Sequence, residues 1–237
     1  MVCNSGISLI PKVEGNLYHF EYVGLYNGLA LIRDRETNSF WSHYTGECLH
    51  GPHQGYQPEV IAPIQFTTAA QALKMYPDAS IALAQQTFFA RFFSWLMQRT
   101  SLTAKGAIPP HFYKTMAEAD DRRPRLDIGL GITDGNLARY YPLEILKESS
   151  VIVDQFNDQN LVIYIDPVSQ IPSAFYSDAS TAHWEADTLH LDTGEMVRDG
   201  QLYSPDGDTR IPDRPTQQFA RWYGFSYTFP NCEIFMA

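Results

Sequence analysis

Between Thr37 and Tyr56 the chain places three of its seven histidines (His43, His50 and His53), one of its three cysteines (Cys48) and one of its four tryptophans (Trp41). No other stretch is as rich in groups that bind a metal or move a proton. Imidazole and thiolate are good ligands for zinc, copper or iron. Cys48 and His50 stand two apart, so a regular strand would turn both to one face. His43 could return across Thr45-Gly46 to join them, and Cys3 could complete a four-ligand site if its strand ran alongside. His43, Cys48, His50 and Cys3 are therefore the candidate metal set. A thiol-dependent enzyme is the rival chemistry, with Cys48 as nucleophile, His43 or His50 as its base, and Asp34 orienting the imidazole. A third reading is binding without catalysis, with Tyr26, Asn27 and Trp41 as contacts for a cofactor, a small ligand or a partner chain.

Each of these residues also has an ordinary role. There is no Cys-x-x-Cys and no His-Glu-x-x-His, and ligands on a loop need support from behind. Trp41 suits a core, Cys48 a small buried apolar site, and His53 an exposed one. Asp34, between Arg33 and Arg35, suits a turn or surface ion pair. Tyr26-Asn27 precedes Gly28 and suits a turn. Asp187, Asp192, Asp199, Asp206 and Asp208 lack the full spacing of a calcium-binding EF-hand loop. Gly129, Gly131 and Gly135 do not form a phosphate loop, because no helix opens there.

The bulk numbers narrow the partners. A net charge of −10 repels polyanions, so nucleic acid and anionic membranes are poor partners; a small molecule or a metal ion is the expected one. Apolar residues at 44% and charged residues at 19% describe an ordered globular chain. Three widely spaced cysteines are no disulfide framework and fit a reducing compartment. No basic and apolar leader opens the sequence and no run of apolar residues is long enough to span a bilayer. The expectation is a cytoplasmic protein, with the reservation that an upstream segment carrying an address could be missing.

Stepping along the chain, short strands are expected at 6–11, 17–23 and 29–33, with a tight turn at Asn27-Gly28. A short strand at 47–50 carries Cys48. Thr67-Thr68 can cap a helix to about Lys74. Gln85 to Arg99 is the best helical pattern, with Phe88, Phe89, Phe92, Phe93, Leu96 and Met97 on one face. A shorter helix is expected near 112–119. The second half is again strand-rich, and its clearest hairpin is 127–133 with 137–141.

Short matches recur in order between the halves. Gln65-Phe66 returns as Gln218-Phe219, and Tyr76-Pro77-Asp78 as Phe229-Pro230-Asn231, at one constant offset. Ile32-Arg33-Asp34 resembles Val197-Arg198-Asp199, and His19-Phe20-Glu21 resembles His190-Leu191-Asp192. The expected fold is α+β: a single β-rich unit of two similar halves, 1–84 and 126–237, with a helical insertion at 85–125 between them. Function would then sit where the halves differ, at Tyr26 to Asn27 and Trp41 to His53.

Four segments together resemble the bacterial domain-of-unknown-function family DUF3179: VCNSG, LYNGLALIRDRETNSFWSHYTGECLHGP, LGITDGNLARYYPL and FARWYGFSYTFPNCEIF. The likeness covers both ends and most of the chain but not the helical middle. The residues matching the family pattern are Tyr26, Asn27, Asp34, Arg35, Thr37, Ser39, Trp41, Thr45, Gly46 and Gly51, while the histidines belong to a subgroup. The resemblance implies that the domain commonly begins with a Cys-x-x-Cys pair, of which Cys3 would be the second member. It also implies exported relatives, and it carries no established activity.

Overall fold

The computed structural model describes residues 5–61, 64, 68–80, 110–118 and 120–236. The predicted helix at 85–99, with Phe92 on its apolar face, lies outside the described residues, as does Cys3. The chain opens with a two-residue hairpin, β1 (Lys12–Val13) and β2 (Asn16–Leu17). An antiparallel meander follows: β3 (Phe20–Tyr26), β4 (Leu29–Asp34), β5 (Phe40–Ser42) and β6 (Cys48–His50). The strand expected at 6–11 is reduced to one bridge between Leu9 and Val60. Helix α1 (Ala69–Met75) starts at Thr68, whose side chain caps the Gln71 amide; Gln71 completes a capping box. Helix α2 (Pro110–Tyr113) is a single turn, shorter than the predicted 112–119.

The second half begins with β7 (Ile128–Asp134) and β8 (Leu137–Pro142), the predicted hairpin, closed by Gly135-Asn136. Helix α3 (Leu143–Ser149) leads to β9 (Val151–Phe156), β10 (Gln159–Ile165) and β11 (Pro172–Tyr176), a three-stranded sheet. A five-stranded meander comes next: β12 (Ala182–Glu185), β13 (Thr188–Leu191), β14 (Met196–Arg198), β15 (Gln201–Tyr203) and β16 (Thr209–Arg210). Then β17 (Thr216–Arg221) joins β7, helix α4 (Trp222–Thr228) follows directly, and β18 (Glu233–Ile234) lies parallel on β8.

The sheets stack in layers because successive residues of β10 face opposite ways. Leu161, Ile163 and Ile165 pack towards Leu130, Ile132 and Tyr141 of the β7–β8 sheet. Val162 and Tyr164 pack towards Leu189, Leu191, Val197 and Leu202 of the five-stranded meander. That double burial is why β10 reads as an unbroken apolar run. On the other side, α4 is buried from Trp222 to Ser226 and joins Leu29 and Tyr44 of the first meander to Tyr140 of β8. A helix apolar on every side shows no amphipathic period, so the sequence pattern missed it. Gly131 has a packing role: a Cβ there would stand 2.2 Å from the Phe225 ring.

The molecule is thus β-rich with few helices among the described residues. The expected two-fold repeat is not shown by the structure. Helices α1 and α4 stand at the offset of the matched Tyr76-Pro77-Asp78 and Phe229-Pro230-Asn231 and have similar C-caps, Tyr76 at φ −133, ψ 80 and Phe229 at φ −124, ψ 74, but α1 has a capping box at Thr68 and α4 no side-chain cap at Arg221. The hairpins do not correspond. His19-Phe20-Glu21 leads into β3, where Phe20 pairs with Asp34, whereas His190-Leu191-Asp192 ends β13, where His190 pairs with Met196.

Candidate functional site

The predicted site is built around a buried carboxylate. Asp34 ends β4 and is fully buried. Its oxygens accept bonds from the Trp41 indole N–H (2.7 Å), the Ser39 amide (3.1 Å), the Thr37 amide (2.5 Å) and the Thr37 hydroxyl (2.9 Å). Burial works to raise the Asp34 pKa, but these bonds outweigh it and hold the carboxyl below the usual range. Arg33 and Arg35 pair with Glu21 instead of Asp34. The corner is closed by Gly51 at φ +118, where a Cβ would lie 2.5 Å from Ser39 Oγ and 2.8 Å from Ser39 Cα. Asp34, Thr37, Ser39, Trp41 and Gly51, all residues that carry the family resemblance, thus form one hydrogen-bonded corner. Asp34 serves the backbone and an indole there, with no imidazole among these partners.

The strand-parity expectation for Cys48 and His50 does not hold. β6 carries a bulge: Trp41 pairs with Cys48, but the next residue, Phe40, pairs with His50. The extra residue, Leu49, reverses the alternation. Cys48 therefore shares the inner face with Trp41 and Val13 and is fully buried. His50 turns to the outer face, exposed and stacked on Phe40. Burial pushes the Cys48 thiol up, and weak bonds to its surroundings only partly offset this, so the nucleophilic thiolate is disfavoured. His43 is half-buried and donates from Nδ1 to the Ala30 carbonyl at 2.8 Å. Burial lowers its pKa, the Ala30 bond opposing; the result is a neutral ring with its lone pair on Nε2. His53, expected to be exposed, is half-buried beside Trp41, and its Nε2 lies 2.8 Å from the Tyr18 hydroxyl. Among the described residues, no group of three or more His, Cys, Asp or Glu side chains could hold a metal ion.

Tyr26 and Asn27 lie at the far end of the same meander. Asn27 and Gly28 both have positive φ and make the predicted turn. The turn is held by Thr115, whose hydroxyl accepts from the Gly28 amide, and by Tyr223, whose hydroxyl donates to the Gly28 carbonyl. Tyr26 is exposed beside it and Trp41 is core. The structure does not bring these three together.

What the His/Cys stretch does reach is a polar cleft. Tyr44, Thr45 and Glu47 form one wall of a cavity of about 660 Å³; the β7–β8 turn and the segment 213–218 form the other. Asp134 accepts from the Tyr176 hydroxyl (2.8 Å) and the Asn157 amide (3.0 Å), and burial, with that carboxylate, raises the Tyr176 pKa. Gln218 donates to the Tyr44 carbonyl at 2.8 Å, while its own Oε1 is buried without a partner among the described residues. Arg214 donates to Ser173 Oγ and the Ala174 carbonyl, both at 2.7 Å, and lies over the Phe175 ring. It forms no ion pair among the described residues. Sequence reading missed Arg214 and Gln218. Alternation along 216–221 was the available signal, but polar residues at buried positions hide it.

With this geometry in place, the family is decided by the match of residues 1–223 to the model described as Protein of unknown function (DUF3179). The chain belongs to that family. The match runs through the middle that had looked unlike it and stops inside α4, short of the PNCEIF segment. No curated protein and no solved structure matches the chain.

Proposed function

We propose that this member of the DUF3179 family is a binding module for a small polar molecule that carries an acidic group, held in the cleft between Tyr44–Glu47 and the 213–218 segment. The observation that supports the reading is a pair of groups there whose bonding is incomplete among the described residues. Gln218 keeps a buried carbonyl oxygen with no donor among the described residues, which is costly unless something supplies one. Arg214 offers a guanidinium that no carboxylate of the described residues neutralises, in a protein of net charge −10. Guanidinium forks recognise carboxylates in bidentate fashion. Thr45, Gln57 and Thr216 line the same cleft, along with the carboxylates of Glu47, Asp134 and Asp213, which suits a ligand that carries hydroxyl or amine groups beside its acidic one. The wall residues come from the stretch richest in chemistry, yet Cys48 is sealed behind it, so binding fits this geometry better than thiol catalysis.

The test is thermal unfolding of purified protein against a panel of hydroxy acids, amino acids and acidic sugars. A ligand at a hundred times its Kd should stabilise by about 2.7 kcal/mol, and Arg214→Gln should abolish the shift. The reading fails if no panel member shifts the midpoint and protein purified under native conditions carries no organic molecule. A stoichiometric transition metal lost on His50→Ala would restore the metal reading instead.

A further inference from the structure

The outer face of the five-stranded meander carries a second constellation, independent of the cleft. His183 on β12 pairs directly with His190 on β13, and His190 pairs directly with Met196 on β14. The alternate residues Leu189, Leu191 and Val197 are buried against the three-stranded sheet, so the row His183–His190–Met196 faces outward across three neighbouring strands. The two imidazole rings are stacked, 5.7 Å between centroids and 25° between planes. Glu185 sits on the same face of β12 and places Oε2 3.6 Å from His190 Nε2. Arg198, the cation of the adjoining row, lays its guanidinium over the Tyr203 ring, 5.4 Å away.

We propose that His183, His190 and Met196 form a surface binding site for copper, in particular Cu(I). Directly opposed residues on neighbouring strands have Cβ atoms about 4.5–5.5 Å apart. From that separation, side-chain rotation can bring two imidazole nitrogens and a thioether to one ion. No trio of His, Cys, Asp or Glu is needed, because the third donor is sulfur. The donor set selects the metal: imidazole suits zinc and copper alike, whereas a thioether favours Cu(I). The Glu185 carboxylate beside His190 adds negative charge that favours a cation. In the first meander, by contrast, the β6 bulge divides Cys48 from His50. An exposed site of two nitrogens and one sulfur is suited to exchanging the ion rather than sealing it in.

The experiment is anaerobic titration of Cu(I) against a chromophoric Cu(I) chelator, with Zn(II) titrated in parallel. A Cys3→Ser background removes a competing thiol. The unsubstituted row should take up one Cu(I) per chain, and X-ray absorption should show one sulfur and two nitrogen neighbours. Met196→Leu should weaken Cu(I) at least about tenfold, remove the sulfur neighbour and leave Zn(II) affinity within about twofold. His190→Ala should abolish binding of both metals. All three residues are on the outer face, and circular dichroism checks that the variants fold. The proposal is overturned if Cu(I) is not bound, if Met196→Leu leaves Cu(I) affinity unchanged, or if uptake follows Cys48 and His50 instead of His183 and His190.

Discussion

The hairpins β5–β6 and β12–β13 both carry histidine, and they arrange their metal-ligating side chains in opposite ways. In β5–β6 the candidate donors are neighbours in sequence, Cys48 and His50, and the bulge at Leu49 puts them on different faces. In β12–β13 the donors are seven residues apart in the chain, and an unbroken register puts them on one face with Met196 beside them. Proximity along the chain is thus a poor guide to convergence in a sheet. Register decides it, because each slip of one residue exchanges the faces.

The largest expected effect tests whether the first hairpin is a structural corner. Asp34→Ala leaves the Trp41 indole, the Ser39 amide and the Thr37 amide without their acceptor, and should cost about 3–5 kcal/mol in urea unfolding. A loss under about 1 kcal/mol would break the comparison by freeing Asp34 for other work. The carboxyl is held below its ordinary pKa, so its contribution is complete above about pH 4 and declines as pH falls through the folded value. Next, Gly51→Ala meets both a positive φ and the Ser39 backbone. It should cost roughly 1–3 kcal/mol by the same measurement; tolerance without loss would mean the corner is looser than drawn. The smallest effect belongs to the second hairpin. His190→Ala removes only an outward-facing cross-strand contact and should change stability by less than about 1 kcal/mol. A larger loss would show that the stacked rings hold the sheet together, sharpening the contrast in the other direction.

Local chemistry was the legible part of the sequence. Asn27-Gly28, the Thr68 cap and the 128–134/137–142 hairpin follow from turn and cap residues whose preferences act within a few positions. The short strand around Cys48 was legible too, yet its facing was not, since a bulge depends on the partner strand. The half-repeat rested on short matched segments, and the hairpin registers those matches imply do not correspond. Arg214 and Gln218 were invisible as a pair with Tyr44 because their meeting spans most of the chain. The Trp222–Thr228 helix was missed for a related reason: neighbours on every side erase the periodicity that a surface helix displays.

The parallel strand β18 has a consequence for how the protein can be handled. Residues beyond 223, where the family match ends, bind β8 through Glu233 and Ile234. Arg139 pairs with Glu233, Arg122 grips the Cys232 carbonyl at 2.8 Å, and Phe235 stacks on Tyr141. This tail covers what would otherwise be the open edge of the central sheet, and open edges recruit other chains. Trimming the chain to the family boundary would therefore cut α4, remove Phe229 from the cleft and bare the β8 edge together, giving a protein prone to self-association even though the row His183–His190–Met196 is retained.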